Sequence, residues 1–196
     1  DGAKWVCSPP LRTPADNTAL WQALGDGSIQ TIGTDHCPFF YDGTTPINYE
    51  GRQVSIPGKE LGHGDFTLIP NGLPGIEHRL PLLWTFGVGS GRLSAERFVE
   101  LTAVNPARIL GLYPRKGSLL PGSDADIVLW DPGKQHTISA QTAHMCTDHD
   151  LWEGVELTGF PVRLYLRGRL LVDGERWMGS AGGGRFLRRQ AGAPVL

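Results

Sequence analysis

The run Ile29-Gln30-Thr31-Ile32-Gly33-Thr34-Asp35-His36-Cys37-Pro38-Phe39 joins a short apolar stretch to an acidic residue and then to a proline-marked loop. Its first four residues read as a short apolar strand, which Gly33 closes. Asp35 then falls at the carboxyl end of that strand, where parallel barrels of strands and helices collect their reacting groups. A carboxylate in this place can hold a metal through one oxygen and handle a proton through the other. It can equally be a turn aspartate that only hydrogen-bonds nearby backbone. Taken alone, the stretch leaves both readings open.

Outward from this run, the chain reads as a βαβ unit. Trp5-Val6-Cys7-Ser8 is expected to form a strand stopped by Pro9-Pro10. Thr13 reads as a helix N-cap, Pro14 as the first helical residue and Asp16 as the acidic member of a capping box. Leu20, Trp21 and Leu24 line one face, and Gly25 ends the helix. Between Cys37 and Pro74 the chain is rich in Gly, Pro, Asn and Thr and has little periodicity. A stretch of that length is either a functional cover or an inserted surface loop. Helical patterns return at 76–86, with a kink expected at Pro81. They recur from Ser94 as N-cap, and Asn105-Pro106 restarts a short helix ending at Gly111.

Past Tyr113 the texture changes. Turn signals (Arg115-Lys116-Gly117, Pro121-Gly122, Asp131-Pro132-Gly133, Asp173-Gly174) separate short apolar runs. Ile127-Val128-Leu129-Trp130 reads as a buried strand. Residues 162–167 alternate with period two, and Gly168 turns them into Arg169-Leu170-Leu171-Val172. This is a small β module with a basic, glycine-rich tail, Gly182-Gly183-Gly184-Arg185-Phe186-Leu187-Arg188-Arg189, which is free to reach a neighbouring subunit. Only two clear βα units precede the module, whereas a closed barrel needs eight strands, so the chain reads as the back end of something larger.

Composition narrows the function classes. A net charge of -2 argues against nucleic-acid or anionic-membrane partners. No apolar run approaches the ~20 residues of a membrane span, and no signal peptide is read at the N-terminus. Cys7, Cys37 and Cys146 form no CxxC pair and read as reduced thiols, so a cytoplasmic location is expected.

Three patches then carry a resemblance. Val6-Cys7-Ser8-Pro9-Pro10-Leu11-Arg12, Gly33-Thr34-Asp35-His36-Cys37-Pro38-Phe39 and Phe66-Thr67-Leu68-Ile69-Pro70-Asn71-Gly72 occur in this order in dihydropyrimidinases and D-hydantoinases. These are cyclic-amide hydrolases of the amidohydrolase superfamily. The later run Lys116-Gly117-Ser118-Leu119-Leu120-Pro121-Gly122-Ser123-Asp124-Ala125-Asp126-Ile127-Val128 resembles the re-entry into that superfamily's β-sandwich. The implied fold class is α/β, the C-terminal strands and helices of a (β/α)8 barrel followed by a small β-sandwich module. The implied division is barrel at 1–116, sandwich at 117–180 and tail at 181–196.

The resemblance implies two zinc ions bridged by a carboxylated lysine, four histidine ligands and one Asp. Asp35 matches that Asp, as metal ligand and as the group that carries the proton. Ser8 and Asn71 match the residues that place the substrate, largely through backbone groups. The implied reaction is ring opening of 5,6-dihydrouracil, dihydrothymine or 5-substituted hydantoins to N-carbamoyl amino acids, in a homotetramer. The chain has no His-x-His, and its six histidines match none of the family's ligands. The histidine and lysine ligands are expected on barrel strands before Asp1, which makes this part alone inactive. His36 is expected to pack or to support, since neighbouring strand residues face opposite ways. Two alternatives resemble the chain: allantoinase or dihydroorotase, with a different ring, and the non-catalytic collapsin response mediator scaffolds. In those scaffolds the Asp and Asn of these motifs are replaced, whereas Asp35 and Asn71 are both present here.

Overall fold

A computed structural model describes residues 2–193; Asp1 and the last three residues of the tail, 194–196, lie outside the described residues. The chain divides into two compact units, each assembled from separate segments. The first comprises the N-terminal residues through Pro14, Gly33–Arg79 and Thr137–Glu156; the second comprises Ala15–Ile32, Leu80–His136 and the residues from Leu157 on.

The first unit is loop-rich. The stretch after Cys37 contains a hairpin that its weak periodicity hides, β1 (Ile47–Tyr49) against β2 (Arg52–Val54) in antiparallel register. Glu50 and Gly51 form its two-residue turn with φ of 50° and 79°, the left-handed pair that matches strand twist. Short 3-10 turns follow at Lys59–Gly62 and Phe66–Leu68. Asp65 caps the latter, accepting the Thr67 N–H at 3.0 Å. The strand expected at 5–8 is absent: Gly2–Trp5 forms a 3-10 turn instead.

The second unit opens on α1 (Pro14–Asp26), which starts at the expected proline. It runs past Gly25 and stops before Gly27, whose φ of 90° suits only glycine at low cost. Next, α2 (Arg79–Leu83) begins later than the 76–86 pattern predicts. Pro81 therefore sits in the first turn, where a missing N–H has no partner to lose, and a π-helical turn Trp84–Val88 follows. Ser94 caps α3 (Ala95–Val99) as expected, accepting the Arg97 N–H at 3.1 Å. A second π-helical turn, Glu100–Val104, leads into α4 (Asn105–Ile109), and Gly111 at φ 67° ends the helical run.

These helices bury Leu24, Leu83, Leu93, Phe98 and Leu101, with Trp21, Ile29, Ile32, Trp84 and Trp130 packed around them. Each fully buried side chain of this kind contributes about 1.5–3 kcal/mol. The rings of Trp84, Phe98 and Trp130 meet pairwise at 5.3–5.7 Å. Residues 29–32 are half-buried against this core, but they form no strand. A strand exists only with a ladder partner, and here side chains take that place. Arg97 Nη2 donates to the Ile29 carbonyl at 2.8 Å, and Asn105 Nδ2 donates to the Gln30 carbonyl at 3.1 Å.

The unit's sheet has the order β3-β4-β5-β6: β3 (Ile127–Thr137), β4 (Glu156–Leu166), β5 (Arg169–Asp173) and β6 (Arg176–Trp177). The expected hairpin is present, with Arg167 and Gly168 turning at φ 49° and 76°. However, β3 continues through Asp131-Pro132-Gly133, which the sequence marks as a turn. Among the described residues it is an edge strand with one side free of a ladder, where a proline's missing N–H is tolerated. The tail lies against the end of α4: Gln190 N–H donates to Gly111 O at 3.0 Å and Ala193 N–H to Arg108 O at 3.1 Å.

Candidate active-site frame

The candidate residues belong to one backbone frame within the first unit. Gly72 N–H donates to Val6 O at 3.1 Å, and Cys37 N–H donates to Leu73 O at 3.1 Å. His36 and Leu73 also form a parallel bridge. Segment 71–73 therefore runs between segments 6–8 and 35–37, and these carry Asn71, Ser8 and Asp35. All three candidates are exposed. Gly72 is required at the crossing, because an added Cβ would stand 2.2 Å from the Cys37 carbonyl oxygen.

Asp35 sits at φ 46°, in the left-handed region that Asp and Asn enter more readily than other side chains. No ladder fixes the residues before it, while the bridge at His36 fixes the backbone after it. His36 supports this frame: its Nδ1 accepts the N–H groups of Gly75 and Ile76 at 3.2 and 3.3 Å. The imidazole thereby presents a lone pair to backbone through Nδ1, and the proton of its neutral form belongs on Nε2. This agrees with the supporting part expected for it.

Lys59, which the sequence does not single out, holds the frame from beneath. It is 1% exposed, and its Nζ donates to Val6 O at 3.0 Å and to Pro70 O at 3.1 Å. Burial lowers its pKa, against smaller opposing effects of Cys7 and Cys37. Its neighbour Glu60 turns the other way and accepts the N–H groups of Gly43 and Gly58 at 2.9 Å. A Gly-Lys-Glu run inside a loop reads as solvated charge, so the sequence holds no signal for either role.

A second polar group lies in the same unit. His78 and Asp150 are both buried, with Nε2 and Oδ2 2.7 Å apart. Burial pushes the Asp150 carboxyl up, but hydrogen bonds from His78 and the Trp152 N–H, with the charges of His78 and His149, hold it below the usual range. Asp148 is likewise raised by burial and lowered further by the N–H groups of Tyr41 and Asp42 and by His149, for a net decrease. A carboxylate depressed in the folded state stabilises above its unfolded pKa, and that contribution is lost as pH falls through the folded pKa. The melting temperature of the full-length protein is therefore expected to fall on acidification below the usual carboxylate range. Asp150→Asn should flatten that acid limb; an unchanged slope would remove Asp150 as its source.

The described residues do not fit a metal by themselves. No group of three or more His, Cys, Asp or Glu side chains among them could hold an ion, and zinc needs three or four convergent donors. Asp35 offers one exposed carboxylate. The zinc ions that the resemblance implies need donors beyond those described. The three cysteines are free. No helix among the described residues is long and apolar enough to cross a membrane.

Residues 5–170 match the amidohydrolase family. The chain belongs to that family. This amidohydrolase chain is 41% identical over 189 residues to the D-hydantoinase of Geobacillus stearothermophilus, covering 96% of itself and 37% of that protein. It is 43% identical over 196 residues to the D-phenylhydantoinase of Escherichia coli O81 (strain ED1a), covering 100% of itself and 40% of that protein. Among solved structures, it superposes on the D-hydantoinase from Bacillus sp. AR9 with a TM-score of 0.88 at 42% identity, over 98% of this chain and 39% of that one. The dihydropyrimidinase from Brevibacillus agri NCHU1002 gives the same TM-score and identity, over 99% and 39%. The resemblance read from the three patches is thus borne out, and so is the mixed α/β class. The chain spans 37% to 40% of the length of the curated relatives it matches, and neither sheet among the described residues closes into a barrel.

Proposed function

We propose that this chain is the C-terminal part of a hydrolase that opens cyclic amides and imides, with 5,6-dihydrouracil, dihydrothymine and 5-substituted hydantoins giving N-carbamoyl amino acids. The observation that carries the reading is the exposed Asp35 carboxylate, set at a left-handed position on the frame that also holds Ser8 and Asn71. Asp35 is the catalytic residue and a metal ligand of the complete site, for which zinc is the proposed metal. In the reaction a water oxygen bonds to the ring carbonyl carbon, the ring C–N bond breaks, and the water's proton passes to the departing nitrogen. A carboxylate at the reacting centre can take that proton and return it, which an amide cannot do.

Ser8 and Asn71 place the substrate through backbone groups, since a fixed donor and acceptor match the planar N–H/C=O edge of an imide. The proposed division remains barrel part at 1–116, sandwich module at 117–180 and tail at 181–196, with a cytoplasmic homotetramer as the assembly. The test is ring opening of 5,6-dihydrouracil and of 5-substituted hydantoins by the full-length, metal-loaded protein. Ser8→Ala and Asn71→Ala are expected to raise KM about fivefold or less, because the backbone contacts survive the truncation. No opening of either ring by folded, metal-loaded protein would overturn the reading in favour of a non-catalytic scaffold or another ring.

A further inference from the structure

The second unit carries a cleft of 410 Å³ at the β4–β5 turn, lined by Leu166, Arg167, Arg169, Ser180, Gly183 and Arg185 among others. Three arginines line it, and no carboxylate is among the lining residues. Like charges brought together repel by about 1 kcal/mol at 4 Å even in bulk water, so an arrangement of this kind favours an anion between them. Four other cations of the unit do pair with carboxylates: Arg97 with Glu100, Arg115 with Asp124, Lys116 with Asp124 and Asp126, and Arg163 with Asp173. Among the described residues, none of Arg167, Arg169 and Arg185 has an acidic partner for its guanidinium.

The guanidinium groups of two of the three donate to neutral partners. Arg167 Nη2 donates to Gly183 O at 2.6 Å, and its own N–H donates to Asp126 Oδ1 at 2.9 Å. Arg169 Nη2 donates to Ser180 Oγ at 3.2 Å. Each guanidinium has five N–H donors, so most remain available after these bonds. Holding the fork with a carbonyl or hydroxyl keeps its full charge and reduces the side-chain entropy lost when an anion binds. Gly182, at φ 76°, has open space where a Cβ would project, which leaves the backbone on that side of the cleft accessible. The volume lies within the usual range for small-ligand sites, about 300–1,000 Å³.

We propose that this cleft binds a phosphate dianion, either free or as a phosphomonoester. It is built from residues outside the frame that holds Asp35, and it does not depend on the proposed reaction. The experiment is calorimetric titration of the full-length protein with inorganic phosphate and, separately, with glycerol 3-phosphate. Both run at constant ionic strength, so that general screening is separated from binding. Wild-type protein is expected to bind at least one of the two. Arg169→Gln and Arg185→Gln should each weaken that binding about tenfold, the worth of one charge-assisted hydrogen bond. Arg185 makes no internal hydrogen bond among the described residues, so its variant tests charge without disturbing the fold. Arg188→Gln, outside the cleft lining, should leave the affinity unchanged. Binding of the ester alone would identify the monoester as the ligand. Absence of binding by either probe, or equal binding by wild type and both cleft variants, overturns the proposal.

Discussion

Asp35→Asn is expected to lower kcat for dihydrouracil opening about 10²–10⁴-fold, the range over which a positioned acid or base accelerates proton transfer. Asn is the right substitution for this position. Asp35 sits at φ 46°, and Asn enters that region with little strain, so the backbone between Thr34 and the His36–Leu73 bridge is preserved. Ala lacks the short polar group that eases a left-handed conformation, and its strain of roughly 1–2 kcal/mol mixes a folding defect into the kinetics. The amide keeps the shape and one oxygen of the carboxylate but cannot carry a proton. The measurement is the initial rate of loss of near-ultraviolet amide absorbance across pH, with metal content determined on the same samples. A low rate at full metal occupancy assigns the proton transfer to Asp35. An unchanged kcat would remove it from the chemistry, whatever the metal content.

The parts of this fold that the sequence makes legible are those fixed by local chemistry. Ser94 is read as a cap because its hydroxyl has a near neighbour to serve, the Arg97 N–H three residues on. The Arg167-Gly168 turn is read because a glycine interrupts a period-two run. What cannot be read this way depends on partners far along the chain. Residues 29–32 have the composition of a strand, yet the carbonyls of Ile29 and Gln30 are met by Arg97 and Asn105, about seventy residues distant in sequence. The continuation of β3 through Pro132 depends on its edge position, a property of the whole sheet. The candidate site shows the same division. The motifs around Ser8, Asp35 and Asn71 are recognisable one by one, but the backbone bonds that align them are not, and nothing local marks Lys59 as a buried cation.

Lys59→Met should therefore loosen the frame and cost about 2–4 kcal/mol of local stability. The substitution keeps an unbranched side chain of similar length and removes the donor. Pro70 O loses its Nζ hydrogen bond, whereas Val6 O keeps the Gly72 N–H. An unsatisfied buried carbonyl costs about 1–3 kcal/mol, and hydrogen bonds to a charged donor are at the stronger end of the range. Part of the loss is offset because a buried ammonium no longer has to be desolvated. Hydrogen exchange at the Gly72 and Cys37 amides reads this directly, since both donate within the frame; each 1.4 kcal/mol corresponds to about tenfold faster local opening. The pH dependence supplies a second readout. Burial lowers the folded pKa of Lys59, so between that value and the ordinary lysine pKa the unfolded chain binds more protons. The stability contributed by Lys59 therefore rises with pH through that window, and the difference between wild type and Lys59→Met should widen there. Because the frame carries Ser8 and Asn71, KM is expected to rise more than kcat falls. Unchanged exchange at Gly72 and Cys37 in the variant would show that the two carbonyls find other donors and that Lys59 is not what holds the segments together.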